Sequence, residues 1–156
     1  MISVDVILED KRWSKKIKKP SIFFSKLLKL FQKRYSFSNK RANLSILLSN
    51  NNNIKKLNKK FRKKNKPTDI LSFPFDRKFN KNTVLYLGDM IISYDFMEKP
   101  KTLLAIEFKK KLIKIFIHGF LHLLNYDHIK LKDYKIMNNE EIKIYKFVNK
   151  KIEKLI

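Results

Sequence analysis

The sequence predicts an α+β fold in which a small mixed sheet, mainly four-stranded, is packed with helices. The chain has 156 residues, of which 44% are hydrophobic and 13% aromatic, so a folded domain with a core is expected rather than disorder. Apolar residues recur with the periods of strands and helices in the order strand, helix, strand, helix, two strands, two helices. We therefore expect one domain over residues 1–156.

Four segments are rich in β-branched or alternating apolar residues, which is the pattern of strands. Pro74 is expected to end the third strand because proline cannot donate to a sheet ladder. Gly88 and Asp89 interrupt the fourth, and residues 76–83 are expected to form a polar loop. The predicted strands are residues 2–8, 42–48, 69–75 and 85–93.

Helices are predicted where apolar residues recur three and four positions apart. Ser21 and Thr102 are candidate N-caps, and Pro67 and Pro100 require helices to end before them. The predicted helices cover residues 21–35, a basic stretch from 54 to before 66, a short stretch from 94 and a long helix over 102–124. A last amphipathic helix is predicted over 131–154, with its apolar face drawn from Tyr134, Met137, Ile142, Tyr145, Val148 and Ile152.

The charge is strongly unbalanced, with 37 Lys and Arg against 14 Asp and Glu and a formal net charge of +23. Such a surface attracts polyanions, nucleic acid first and an anionic membrane surface second. An A/T-rich coding bias is an alternative source of many lysines, since Lys, Ile and Asn dominate and glycine occurs only twice.

The chain has no cysteine, which excludes disulfides, thiolate metal sites and a cysteine nucleophile. No apolar run approaches the length of a membrane-spanning helix, and the N-terminus lacks a signal-peptide pattern. We therefore expect a soluble, cytoplasmic protein without a membrane partner.

All three histidines of the chain fall within HGFLHLLNYDH, residues 118–128. His118 and His122 are four residues apart and project from one face of a helix. Asn125 tolerates the left-handed conformation that ends a helix and returns the chain, so that His128 can face the same point. Three imidazoles suit one zinc ion with a fourth position for water, which predicts a zinc site at the end of the long helix. The alternative is a set of packed core histidines.

The spacing is also that of the H-E-x-x-H-x-x-G-x-x-H zinc peptidases, with two differences. Asn125 replaces the turn glycine, and Gly119 replaces the glutamate that acts as general base in those enzymes. A peptidase is therefore disfavoured. Gly119 serves either close approach of a substrate or backbone, or a helix-packing contact.

Three blocks resemble the YbeY-type rRNA maturation endoribonucleases. HGFLHLLNYDH is similar to that family's H-G-x-L-H-L-x-G-Y-D-H signature. FRKKNKPTDILSFPFD, residues 61–76, resembles its R-x-x-x-x-P-T-D-V-L-S-F-P segment, and LGDMIIS, residues 87–93, resembles its G-D-I-x-I-S strand. The resemblance covers most of the chain from about residue 42 onward.

The resemblance implies a zinc-dependent, single-strand-specific endoribonuclease that acts in 16S rRNA 3′-end maturation and ribosome quality control. It implies one Zn²⁺ per chain held by His118, His122 and His128. It also marks Arg62 as a functional, catalytic residue. Single-stranded RNA, rRNA and the small ribosomal subunit are the implied partners.

Chemistry fits this role for Arg62, since a guanidinium can grip a phosphate bidentately and neutralise developing charge. A surface arginine at a helix end is the alternative. Lys66 is close in sequence and is either a phosphate contact or a solvated lysine. Asp127 either orients an imidazole, carries a proton or caps a turn, and Asp89 has the same ambiguity.

Other residues of these blocks are expected to be structural. Strand and cap positions explain Thr68, Ser72 and Ser93, and core packing explains most of Phe61, Phe73, Phe75 and Phe120, although single-stranded RNA binding often uses aromatic stacking. Two other functions stay open, namely a non-catalytic rRNA-binding assembly factor with a structural zinc, and a metal-dependent hydrolase of another substrate. The sequence also leaves open whether water or the ribose 2′-OH attacks.

Overall fold

A computed structural model of the chain describes residues 1–31, 35, 41–79 and 83–155. Its centre is a four-stranded sheet with the spatial order β1-β2-β4-β3. The strands are β1 (Ile2–Leu8), β2 (Arg41–Ser49), β3 (Ile70–Pro74) and β4 (Val84–Ser93). Three of them, β1, β2 and β4, run parallel, and β3 joins β4 antiparallel at one edge. The predicted mixed, four-stranded α+β fold is therefore confirmed.

Six helices accompany the sheet in the described part of the chain. Two are single turns, α1 (Trp13–Lys16) and α4 (Tyr94–Met97). The longer ones are α2 (Pro20–Phe31), α3 (Asn51–Arg62), α5 (Ala105–Leu123) and α6 (Leu131–Asn149). Short 3₁₀ turns lie at Arg77–Phe79 and Ile152–Lys154. None of the described helices is long and apolar enough to cross a membrane.

The two faces of the sheet are covered differently. In β2, Ala42, Leu44, Ile46 and Leu48 are buried in the main core with residues of α2, α5 and α6. The alternate residues face the other way, where Leu47 packs into a small second cluster with Leu71 and Ile91 beneath α3. This alternation follows from the period of two in a strand. The long helix α5 therefore lies on the face of the sheet that forms the main core, and α3 lies on the face with the small second cluster.

Several predicted boundaries differ from the structure. Thr102 does not cap α5, which begins at Ala105 with the Leu104 N–H donating to the Glu107 carboxylate at 2.8 Å. Pro20 opens α2, so Ser21 lies inside its first turn. The predicted continuation of this helix over residues 32–34 lies outside the described residues, as do residues 80–82 of the predicted polar loop.

The apolar face of α6 also differs from the prediction. Met137, Ile144 and Val148 are buried, whereas Tyr134 and Ile142 are 51% and 43% exposed. The helix ends at Asn149 rather than near residue 154. The turn α1 was not predicted, although its Trp13 is fully buried and its indole N–H donates to the Ser49 carbonyl at 2.9 Å. A lysine-rich segment with one tryptophan gives little periodic pattern, so this anchor depends on tertiary contacts.

Candidate metal centre

Helix α5 approaches the sheet closely at Gly119, between the first two histidines of the motif. A Cβ atom at this position would lie 2.5 Å from Ile70 Cδ1, 2.7 Å from Met90 Sδ and 2.9 Å from Ser72 Oγ. These distances are too short for real contacts, so the absence of a side chain lets the helix rest on β3 and β4. Of the two roles considered for Gly119, the structure supports the packing contact.

Asn125 ends the helix as the sequence predicts. Its φ is +66°, and Leu124 is the C-cap. The Asn125 N–H donates to the His122 carbonyl at 2.9 Å, and the Tyr126 N–H donates to the Leu121 carbonyl at 3.0 Å. This pair of hydrogen bonds is a Schellman motif, which reverses the chain directly after the helix.

The reversal also fixes the second histidine. His122 Nδ1 lies 3.0 Å from the Tyr126 carbonyl oxygen, so a proton on Nδ1 is donated to that oxygen and the Nε2 lone pair stays free. The turn therefore holds the ring of His122 in one orientation, in addition to returning the chain towards His128.

A side chain from another helix fixes the first histidine. His118 Nδ1 lies 2.6 Å from Oε1 of Glu141, which is 23 residues later on α6. The carboxylate accepts the Nδ1 proton, which leaves Nε2 of His118 free as well. The sequence does not predict this role of Glu141, because its contact with His118 forms only when α6 packs on α5. No local spacing in the sequence indicates that contact.

The three imidazoles converge on one point. Ring centres are 4.7 Å apart for His118 and His122, 5.5 Å for His118 and His128, and 5.0 Å for His122 and His128. One ring nitrogen of each lies within 4.8 Å of the others. The Nε2 atoms of His118 and His122 are 3.1 Å apart, and two lone pairs this close require a cation or a proton between them.

The environment of His122 favours the neutral imidazole, which is the form that binds metal. Burial lowers the pKa of His122, and the neighbouring His118 lowers it further. His118 is half-buried and His128 is exposed, so the cluster opens to solvent on the side of His128. The three histidines can therefore hold a metal ion and leave a position accessible from outside.

Asp127 caps the loop that presents His128. Its Oδ1 accepts the backbone N–H of His128 at 2.6 Å and that of Ile129 at 3.3 Å. These contacts correspond to the turn-capping role considered from the sequence. The carboxylate thereby positions the backbone of the third histidine.

Arg62, the last residue of α3, lies against the β3 edge of the sheet. Its guanidinium donates to the Ser72 carbonyl at 3.3 Å and lies 5.9 Å from the ring centre of Phe73. Its charge is close enough to His122 to contribute to the lowered pKa of that imidazole. The side chain is exposed and therefore accessible to an anion.

Most of the remaining residues singled out from the sequence lie elsewhere. Asp89 pairs with Phe73 across the strands and accepts the Tyr86 hydroxyl at 2.6 Å, on the sheet face away from α5. Lys66 is exposed, and Phe120 is buried in the main core. The Thr68 hydroxyl donates a hydrogen bond to the Asp69 carboxylate, and the Ser93 hydroxyl donates one to the side-chain oxygen of Asn51. Two aromatic residues are more exposed than expected, Phe61 at 57% and Phe75 at 40%.

The mixed sheet, with two imidazoles on a long helix and a third on the loop that follows it, defines a class of α+β proteins with a three-histidine cluster that could hold a metal ion. The family model described as "Endoribonuclease YbeY" matches residues 7–149. The chain belongs to this family.

Individual relatives support the assignment along nearly the whole chain. A protein of Pelagibacter ubique named "Endoribonuclease YbeY" is 62% identical over 97% of this chain and 99% of its own length. One of the same name from Ehrlichia canis is 37% identical over 92% of this chain and 90% of its own. The solution structure of TM1509 from Thermotoga maritima superimposes with a TM-score of 0.59 at 26% identity, and covers 99% of this chain and 93% of that one.

Proposed function

We propose that this protein is a zinc-dependent, single-strand-specific endoribonuclease that acts in ribosomal RNA processing. Its site would be the metal centre formed by His118, His122 and His128, with Arg62 as the residue that contacts the scissile phosphate. We assign it two cellular roles, cleavage near the 3′ end of 16S rRNA and ribosome quality control. It would act in the cytoplasm, on the small ribosomal subunit. We take residues 1–156 as one domain.

The observation that carries the proposal is the convergence of two Nε2 atoms at 3.1 Å while both Nδ1 atoms are engaged by oxygen acceptors. Nitrogen ligands about 2.0–2.1 Å from a tetrahedral zinc are roughly 3.3–3.4 Å apart. The spacing is therefore close to that of two zinc ligands. A set of three neutral imidazoles without thiolate or carboxylate is also the donor set that catalytic zinc uses.

A zinc ion in this site would supply positive charge against a phosphoryl oxygen and would make water more acidic. The chain itself supplies the rest. Glu141 and the Tyr126 carbonyl hold the two helical imidazoles, and Asp127 holds the loop of His128. Arg62 binds the phosphate through its guanidinium and neutralises the charge that develops on it. Its hydrogen bond to the Ser72 carbonyl, at the β3 edge, keeps the guanidinium oriented.

The choice of RNA over peptide rests on two features. Gly119 stands where a zinc peptidase carries its general base, and the space there is filled by Ile70, Ser72 and Met90. The net charge of +23 favours a polyanionic substrate. The relatives are named as endoribonucleases, which agrees with this choice.

Zinc content and cleavage of a single-stranded RNA, measured for wild type, His122→Ala and Arg62→Ala, test the proposal. Arg41→Ala is a matched control, because Arg41 is an exposed arginine on β2, which β4 separates from the β3 edge that Arg62 contacts. His122→Ala should lose both metal and activity. Arg62→Ala should keep zinc and lose activity about 100-fold or more, as for loss of a group that stabilises transition-state charge, while Arg41→Ala cleaves like wild type.

Other outcomes would contradict the proposal. Equal cleavage by wild type and His122→Ala would point to a contaminating nuclease. RNA binding without cleavage by zinc-loaded wild type would favour a non-catalytic assembly factor. Chelator-sensitive turnover of peptides would favour a hydrolase of another substrate.

A further inference from the structure

A cavity of about 420 Å³ lies between α5 and α6, directly beside the metal centre. Its walls are largely apolar, and two lysines and a tyrosine add polar groups. None of these residues is a proposed metal ligand. The residues that line it are Lys114, Ile117, Glu141, Ile142, Tyr145 and Lys146.

The two helices run antiparallel here, and their facing residues form successive layers. His118 meets Glu141 in one layer, at 2.6 Å. Lys114 meets Tyr145 in the next, with its Nζ 4.8 Å from the centre of the ring. Lys114 and His118 are four positions apart on α5, as are Glu141 and Tyr145 on α6, so the layers are about 6 Å apart along the helix axes. Glu141, which lines the cavity and bonds His118, thus joins the cavity to the histidine cluster.

The cavity combines the features that bind a base of single-stranded nucleic acid. Tyr145 is partly buried against the core, and the Lys114 ammonium lies 4.8 Å from its ring centre. A base that displaces this lysine can stack on the ring. Lys114 and Lys146 are exposed at its rim, where they can contact backbone phosphates. Ile142 is 43% exposed and extends the apolar wall. The single acidic residue of the lining, Glu141, is already paired with His118.

We propose that the α5–α6 cavity binds a nucleobase of single-stranded RNA next to the nucleotide whose phosphate lies at the metal centre. The inference rests on the proposed function and deepens it, since it states how the enzyme prefers unpaired RNA. A base in a duplex is stacked and paired and cannot enter a cavity between two helices. A base that is free to turn outward can stack on Tyr145 while its backbone passes the two lysines.

The test measures affinity for a fluorescein-labelled 2′-O-methyl oligouridylate, so that binding is observed whether or not the protein cleaves RNA. Tyr145→Ala should weaken binding at least fivefold, since one base–aromatic stack contributes about 1–3 kcal/mol. Tyr145→Phe keeps the ring and should bind within about twofold of wild type.

Phe147→Ala is the matched control. Phe147 is 44% exposed, and the Nζ atom of Lys151 lies 4.2 Å from its ring centre. It is two residues beyond Tyr145 on α6 and therefore lies on another face of the helix. It should bind like wild type. Equal losses for Tyr145→Ala and Phe147→Ala would overturn the proposal, because they would indicate a general effect on α6.

Photocrosslinking of wild type to a 5-iodouridine oligonucleotide removes any dependence on the folding of variants. The proposal predicts crosslinks in the tryptic peptide of residues 144–146 and none in that of residues 147–150. Crosslinks only elsewhere would overturn it. If wild type crosslinks at Tyr145 yet never cleaves RNA, the base site stands and the proposed activity fails. If wild type cleaves RNA and Tyr145→Ala binds RNA normally, the proposed activity stands and the base site fails.

Discussion

Nδ1 of His118 and Oε1 of Glu141 are 2.6 Å apart, and this contact ties α5, which carries two of the three histidines, to α6. A carboxylate on the far nitrogen of an imidazole fixes its tautomer and raises its basicity as a ligand. The orientation of the first histidine therefore depends on a residue outside the histidine motif.

We expect Glu141→Gln to lower the affinity of the protein for zinc about 10- to 100-fold, because loss of such an outer carboxylate typically has that effect. Competition with a chromophoric zinc chelator measures it. Glu140→Gln changes the neighbouring carboxylate, which contacts Tyr35 and Lys143 instead, and should leave zinc affinity unchanged. Equal affinities for wild type and Glu141→Gln would contradict the role assigned to this contact.

Asn125 should tolerate glycine and reject β-branched residues. Its φ of +66° suits glycine at no steric cost, whereas a valine there is strained by roughly 1–2 kcal/mol. Asn125→Val should therefore lower the free energy of unfolding by about that amount and weaken zinc binding, because the same turn positions the Tyr126 carbonyl against His122. Chemical denaturation and chelator competition on Asn125→Gly and Asn125→Val test this. Identical behaviour of both variants would argue against the turn as a support for the site.

Gly88 should not accept alanine. Its φ is +136°, and a Cβ there would lie 2.1 Å from the Phe73 carbonyl oxygen, a backbone atom that cannot yield cheaply. The register shift between Asn43 and Leu44 occurs opposite this residue, so the glycine permits an irregularity in β4. We expect Gly88→Ala to destabilise the protein by more than about 2 kcal/mol, as measured by urea denaturation. A loss below about 0.5 kcal/mol, the size of ordinary surface effects, would contradict this account.

Asp10 should contribute a pH-dependent part of stability. Hydrogen bonds from Arg12 lower the pKa of Asp10 to about 2, with the guanidinium 2.9 Å from the carboxylate. Because the folded-state pKa lies below the unfolded one, the contribution is present above about pH 4 and is lost as pH falls towards 2.

Wild type should therefore exceed Asp10→Asn in free energy of unfolding by about 1–2 kcal/mol at pH 6. The difference should shrink towards zero near pH 2, as followed by urea denaturation across this range. A difference that does not vary with pH would mean that the carboxylate charge is not what stabilises the fold there.

The sequence predicts the parts of this protein that have a local pattern. Alternation located all four strands, and the spacing of His118, His122 and His128 with Asn125 between the last two anticipated both the cluster and its turn. These features follow from helix and strand periodicity, which the chain obeys segment by segment.

The parts that were missed depend on contacts between distant segments. Glu141 and His118 meet only after α6 has folded back on α5, and Tyr126 acts through a backbone carbonyl, which has no sequence pattern. The prediction of Ile142 rather than Ile144 for the apolar face has another cause, because Met137, Ile144 and Val148 share one helix face at spacings of seven and four residues, which the sequence does show. The direction in which α6 faces is set by packing against α5, and the same packing creates the cavity beside Tyr145.

Zinc K-edge X-ray absorption of the zinc-loaded protein tests the central claim most directly. A zinc held by His118, His122 and His128 should give three imidazole nitrogens at about 2.0–2.1 Å with one further light ligand. The imidazole signal should disappear in His122→Ala. A spectrum without three imidazole ligands, or one unchanged in His122→Ala, would contradict the three-histidine zinc centre.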